Sequence, residues 1–303
     1  MQKKIYTSTT ESGKKALFVS GLGEYSLSDT LECGQCFRFD RIDGEYEHQY
    51  FGMVGSHPVC VAQRARGELV FIGADERDYE EYLCHYFALD VDWAEINKKI
   101  EASLDSDFMR EATRFGAGIA ILRQDVWEAL FSFIISQNNN IPRIKKNIKT
   151  VCALYGEKKG RDCASCDECG GCYTFPSAQD ILKNPSLLKE ARLGFRERYL
   201  IDAATRVSNG DVDLESVRHP ADFTVAHDTL CRICGVGDKV CSCVLLFGAG
   251  HLDAFPIDVW MKCAIDDYFD GSLDASKFGS YAGVAQQYIF HYIRNITAKA
   301  DKK

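Results

Sequence analysis

The sequence changes period near residue 75, and that change limits the possible folds more than any single motif. Before it, ALFVSG, CFRFDRI, QYFGMVG, PVCVAQ and ELVFIG are short runs rich in β-branched and aromatic residues, separated by glycine, proline and charged turns. After it, apolar residues recur at helical spacing. Asp125 and Glu128 have capping-box spacing ahead of VWEALFSFII. Asn140, with Pro142 just inside, opens a second helix carrying Ile144, Ile148, Val151 and Leu154, and Gly156 is placed to end it. Ser177 to Asp180 repeats the start signal, and 196–207, 221–233, 238–248 and 280–295 have the pattern of further helices. Strands followed by helices predict an α+β protein. The expected division is an N-terminal antiparallel β-sheet domain with trailing helices over 1–112 and a helical domain over 113–303. The second domain is interrupted by a cysteine-rich insert at 161–173.

With 46% apolar and 26% charged residues, the 303-residue chain is an ordinary globular one. No apolar run approaches the roughly 20 residues that span a bilayer. The N-terminal MQKKIYTSTTESGKK lacks a signal peptide's apolar core. The expectation is a cytoplasmic monomer without membrane attachment, in which the 14 cysteines are thiols and metal ligands rather than disulfides. A net charge of −8 argues mildly against a nucleic-acid partner, but the charge is unevenly spread. Residues 75–95 hold eight acids and one base, whereas 143–161 hold seven bases and one acid. An acidic chain can still present one basic face to phosphates.

The most specific segment is CGVGDKVCSCVLLF, followed by Asp258 in AFPIDVW. Gly235 and Gly237 supply the backbone freedom of a tight turn between two helices. The turn amides and the second helix's N-terminus then face a phosphate oxygen, a grip on DNA backbone that reads no sequence. Lys239 lies in that helix's first turn, where the positive end of the dipole works against an ammonium and favours a neutral, nucleophilic amine. Asp258 follows a short apolar link and has the chemistry to stabilise a developing sugar cation and to handle protons.

These residues resemble the helix-hairpin-helix DNA glycosylases that end in a Gly/Pro-rich loop and an aspartate. A lysine at position 239 is the mark of the bifunctional glycosylase/lyases in that group. Further segments are similar to the 8-oxoguanine branch, from about Leu17 to Asn295. LECGQCFRF resembles its N-terminal pocket strand, which implies that the carbonyl of Gly34 accepts the N7 hydrogen found only on the oxidised purine. YAGVAQQYIF resembles its C-terminal pocket helix, which implies that Gln286 bonds the Watson–Crick edge and Phe290 stacks on the base, with Cys243 on the other face. FIISQNNNIPRI and GFRERY resemble the segments inserted at the lesion. There Asn138 would fill the space of the extruded nucleotide, Arg143 and Arg196 would meet the estranged cytosine, and Phe195 would wedge beside it. The implied substrate is double-stranded DNA containing an oxidised guanine, and catalysis requires no cofactor.

The insert departs from that pattern. RDCASCDECGGCYTFP sets Cys163, Cys166, Cys169 and Cys172 at unbroken C-x2-C spacing, which suits a structural Zn²⁺ or a [4Fe–4S] cluster without choosing between them. The pairs Cys33/Cys36 and Cys231/Cys234 fall inside motifs already described and are taken as incidental. Three other readings stay open: a glycosylase for another lesion, a non-catalytic metal-stapled DNA-binding hairpin, and a redox sensor built on the cysteine cluster. Lys239 disfavours the alkyl-purine and adenine-mismatch types, and the presence of both Lys239 and Asp258 disfavours the non-catalytic one.

Overall fold

A computed structural model of the protein describes residues 3–104, 106–159 and 172–300. Six antiparallel strands come first: β1 (Lys4–Thr9), β2 (Lys15–Ser20), β3 (Phe39–Arg41), β4 (His48–Val54), β5 (His57–Ala65) and β6 (Glu68–Ile72). They are ordered β1-β2-β6-β5-β4-β3, so the last strand inserts beside the second. Side chains alternate across the sheet. Leu17, Val19, Val61, Leu69 and Phe71 enter the main core, while Ala16, Phe18, Ala62 and Val70 form a small cluster on the other face.

A short helix, α1 (Leu27–Glu32), interrupts the strands. After the sheet come α2 (Glu76–Asp78), a π-helical turn (Tyr79–Leu83) and α3 (Cys84–Tyr86) as one winding stretch, then α4 (Trp93–Ser103), α5 (Asp107–Gly116), α6 (Val126–Ser136) and α7 (Ile141–Tyr155). The two-residue strands β7 (Lys158–Lys159) and β8 (Cys172–Tyr173) flank the insert. The chain continues through α8 (Ala178–Lys183), α9 (Arg196–Ser208), α10 (Phe223–Cys231), α11 (Asp238–Phe247), α12 (Val259–Tyr268) and α13 (Ala282–Ala300). None of the described helices is long and apolar enough to cross a membrane.

One core runs from the sheet through the helices, joining Leu17 and Phe71 to Leu130, Val244 and Ile289. It crosses the expected division at residue 112, and α13 returns to pack on α5. The α+β architecture follows the sequence, with local differences. β1 escapes the strand pattern because it is an edge strand whose side chains are mostly exposed. Gly34 lies in a loop between α1 and β3 and not in a strand, since its φ of +89° breaks extended pairing. Asn140 caps α7, and Ser177 with Asp180 forms a full capping box on α8.

At α6 only half of the expected box exists. The Asp125 carboxylate accepts from the Glu128 amide at 2.9 Å, but the Glu128 side chain turns inward to Arg38 at 3.3 Å. That buried pair joins the segment before β3 to α6, and the same guanidinium donates to the Tyr173 carbonyl beyond the insert. Removing one partner of a buried pair strands the other's charge. Glu128→Ala is therefore expected to lower stability by about 3–5 kcal/mol in urea unfolding. The double change Arg38→Met with Glu128→Gln should recover much of that loss.

Candidate active site

The hairpin forms between α10 and α11, but only one of its two glycines is there for backbone freedom. Gly235 has a φ of +77°, and a Cβ there would fall inside the Tyr199 ring. Gly237, the N-cap of α11, is extended (φ −110°, ψ −175°) with open space where a Cβ would sit. Neither backbone nor neighbours require glycine at 237, so the free space lies outside the protein, along the turn's exposed edge.

Lys239 is half-buried in the first turn of α11, with Nζ 5.3 Å from the centroid of the Phe133 ring. Phe133 is fixed from behind by Phe247, stacked at 5.4 Å, and from the side by Phe37 at 5.8 Å. The amine thus rests on an apolar, electron-rich face. One turn further, Cys243 is buried. Burial pushes its thiol up from the ordinary value, Lys239 pulls it back by charge and hydrogen bond, and Asp258 pushes it up again. Lys239, Cys243 and Asp258 therefore share one electrostatic neighbourhood.

Asp258 is the N-cap of α12, and its carboxylate accepts from the Met261 amide at 2.9 Å. The loop that delivers it is pinned at several points. The His251 ring donates to the Val217 carbonyl at 2.9 Å, and the Gly283 amide donates to the Leu252 carbonyl at 2.8 Å. Gly283 has no room for a Cβ, which would lie 2.4 Å from the Ala254 carbonyl oxygen and 3.0 Å from that of Leu252, so α13 packs hard on the loop.

A second wall forms around Gly34. A Cβ there would lie 3.7 Å from the Phe290 ring, so the loop and α13 face each other across this glycine. Gln35 holds the loop. Its buried amide nitrogen donates to the carbonyls of Thr30 and Ala120, both at 2.8 Å, and its amide oxygen accepts from the Leu122 amide at 2.9 Å. Gln124 donates to the Gln35 carbonyl at 2.7 Å, and Gln287 of α13 donates to the Cys33 carbonyl at 2.9 Å. The adjacent Gln286 is only 4% exposed, yet its Oε1 has no hydrogen-bond partner among the described residues. A buried acceptor left this way costs free energy until a donor arrives. Phe290 is half-buried, with the Arg294 guanidinium 5.2 Å from its ring centroid.

The third group lies between α6 and α9. Asn138 is exposed with a φ of +47°. Phe195 is 46% exposed, its ring edge-on to Tyr199 at 5.8 Å and covered by the Arg196 guanidinium at 4.5 Å. Arg143 is exposed, but Arg196 is buried and does not project. Its Nε donates to Gln137 O at 2.8 Å, Nη1 to Leu193 O at 3.1 Å, and Nη2 to Gln137 O and to Asn138 O, the latter at 2.8 Å. A guanidinium has five N–H groups, so one remains for any outside acceptor. Burial and then the charge of Arg143 hold its pKa below the ordinary value.

Sequence reasoning missed Gln35, Gln124 and Gln287. Nothing in a lone glutamine marks it as a loop anchor, and in AQQY only the helical turn of about 100° between neighbours separates the inward Gln286 from Gln287. Of the insert cysteines, Cys172 is buried in β8 against Phe51 and Met53, while Cys163, Cys166 and Cys169 lie outside the described residues.

The family model for the 8-oxoguanine DNA glycosylase N-terminal domain matches residues 18–130. The Clostridium acetobutylicum 8-oxoguanine glycosylase/lyase, solved with double-stranded DNA containing cytosine opposite 8-oxoguanine, superposes with a TM-score of 0.84 at 32% identity, over 97% of this chain and 98% of that one. The chain belongs to the 8-oxoguanine DNA glycosylase family. A further family structure, MBOgg1 with a low-affinity DNA ligand, reaches a TM-score of 0.86 at 32% identity over 98% of this chain and all of its own. The N-glycosylase/DNA lyase OGG1 of Arabidopsis thaliana is 29% identical over 301 residues, 88% of this chain and 77% of the plant protein. Within this glycosylase fold the hairpin's tolerance is testable. Gly235→Ala is expected to cost at least about 1–2 kcal/mol, because it puts a side chain at positive φ and against Tyr199. Urea unfolding measures it.

Proposed function

We propose that this protein removes 8-oxoguanine from duplex DNA, with cytosine as the opposite base, and then cleaves the resulting strand as an AP lyase. The observation that carries the reading is the Lys239 amine, lying on the Phe133 ring in the first turn of α11 and beside Cys243, which Asp258 also reaches, at the mouth of the hairpin. As the C1′–N bond to the base breaks, the lysine nitrogen bonds C1′, and Asp258 stabilises the positive charge that develops on the sugar. Ring opening gives a Schiff base, and loss of a C2′ proton expels the 3′ phosphate. This chemistry calls on no cofactor.

Recognition falls to the second wall. The unpartnered Gln286 Oε1 awaits a donor on the base edge, the Gly34 carbonyl accepts from N7–H, and Phe290 and Cys243 take the two faces. The high-lying Cys243 thiol suits this role, since an uncharged, polarisable sulfur packs on a ring without repelling it. Asn138 and Phe195 enter the duplex, where extrusion of a base costs about a few kcal/mol. Arg143 is the arm to the estranged base. Arg196 contributes one N–H and otherwise fixes the carbonyls of the Asn138 turn. A cytoplasmic location is proposed, nucleoid-associated in a prokaryote, where the DNA substrate lies in the same compartment. The four cysteines 163, 166, 169 and 172 are proposed to hold a structural Zn²⁺ or [4Fe–4S] cluster, on the strength of their spacing.

Single-turnover base release on a lesion duplex tests the nucleophile and its carboxylate. Lys239→Gln is expected to keep duplex affinity and lose base release. Asp258→Asn keeps a good helix cap, so it should fold normally while base release falls by at least about 100-fold. Wild-type turnover in either variant would remove that residue from the mechanism. A separate test concerns Gly237. Serine is a good N-cap and fits the extended backbone there, so Gly237→Ser should leave stability unchanged or higher. Its side chain occupies the space where a phosphate approaches, so duplex affinity should fall.

A further inference from the structure

The hairpin carries a second cluster of reactive side chains that the glycosylase reading leaves unused. His227 and Cys231 stand one turn apart on α10 and share a face of that helix. Cys241 on α11 meets them, its Sγ 2.8 Å from that of Cys231. The Cys231 sulfur lies 3.7 and 3.8 Å from the two ring nitrogens of His227. One nitrogen and two sulfurs thus fall within 4.8 Å of one another, the single such group of metal-ligating atoms found among the described residues. Two carboxylates flank the ring, Asp238 Oδ1 3.4 Å from Nε2 and Asp228 Oδ1 3.7 Å from Nδ1.

We propose that His227, Cys231 and Cys241 bind a divalent cation of zinc type, with the Asp238 carboxylate as the fourth ligand, and that this ion staples α10 to α11. Two thiolates and an imidazole are the donor set that Zn²⁺ prefers over the oxygen-seeking Mg²⁺ and Ca²⁺. A ligating histidine characteristically has a carboxylate on its other nitrogen, and Asp228 stands where that partner belongs. Binding replaces two S–H bonds with two metal–sulfur bonds and releases two protons. Zn–S bonds of about 2.3 Å separate tetrahedral sulfurs by roughly 3.8 Å. Cys231, the less buried of the two, is the one that turns outward to take up that difference.

Coordination also accounts for Asp238. Its carboxylate neighbours Lys239 at the edge where the turn amides face a phosphate, and left uncompensated it would repel that anion. Drawn onto the cation with His227, it no longer does. The ion then spans the Gly235–Gly237 turn from both sides, limiting how far the two helices can splay when DNA pulls on the turn.

Cobalt titration of the full-length reduced protein tests this without DNA, and so independently of the excision chemistry. The background carries Cys163→Ser, Cys166→Ser and Cys169→Ser, which removes the insert as a competing thiolate site. One equivalent of Co²⁺ is expected to bind with thiolate-to-cobalt charge-transfer absorption, displaced by Zn²⁺. That absorption should vanish when Cys241→Ala or Cys231→Ser is added, with the near-ultraviolet circular dichroism of each variant reporting that it is folded. Absence of the band in the triple variant would overturn the proposal, as would its persistence in folded Cys241→Ala. A Cys231–Cys241 disulfide in the metal-free protein under the same reducing conditions would overturn it too.

Discussion

The buried amide of Gln35 is the joint on which the site depends. The loop carrying Gly34 has no regular backbone pairing of its own, yet it must form a rigid wall against α13. Gln35 replaces that pairing with bonds to Thr30, Ala120 and Leu122, and Gln124 and Gln287 close the loop from the helical side. Each bond contributes a net of about 0.5–1.5 kcal/mol. Buried as they are, losing one leaves a polar group without water, which costs more than making the bond gains. The sheet therefore does more than fill space: it carries the Gly34 loop to the helices, and the Arg38–Glu128 pair fixes the same junction a few residues on.

On the other side of Phe133, the helical part brings up Lys239, with Cys243 one turn further along α11. Phe133 touches Phe37 of the sheet domain and Phe247 at the end of α11, and carries the Lys239 amine on its face. A single ring thus sets the spacing between the Gly34 loop and the Lys239 amine. Asp258 has a structural role beside its proposed chemical one, since one of its carboxylate oxygens caps α12. The same use of one residue for two ends appears at Arg196, whose guanidinium holds the carbonyls that let Asn138 adopt its left-handed turn.

Legibility in the sequence followed the range of the interaction. The hairpin, the Asn140 cap, the Ser177–Asp180 box and five of the six strands are local patterns, and all were recoverable from spacing. Glu128 had the spacing of a capping residue, but its partner Arg38 lies 90 residues away and draws the side chain into the core. Gly34 sat among β-rich neighbours, and only its positive φ distinguishes a loop from a strand. Arg196 illustrates a different limit. Its position beside Phe195 was readable, whereas the number of N–H groups already engaged depends on carbonyls some 58 residues earlier. The His227–Cys231–Cys241 cluster escapes the sequence reading, which pairs Cys231 with Cys234 as incidental, because its third member comes from the next helix.

Borohydride trapping with peptide mapping asks whether Lys239 is the amine that bonds the sugar. The protein is incubated with a duplex bearing one 8-oxoguanine opposite cytosine, beside an undamaged control, and reduced in place. A covalent adduct on the lesion duplex alone, mapped to the peptide containing Lys239, is the predicted result. An adduct on another lysine, equal trapping on undamaged DNA, or base release with no adduct would contradict it.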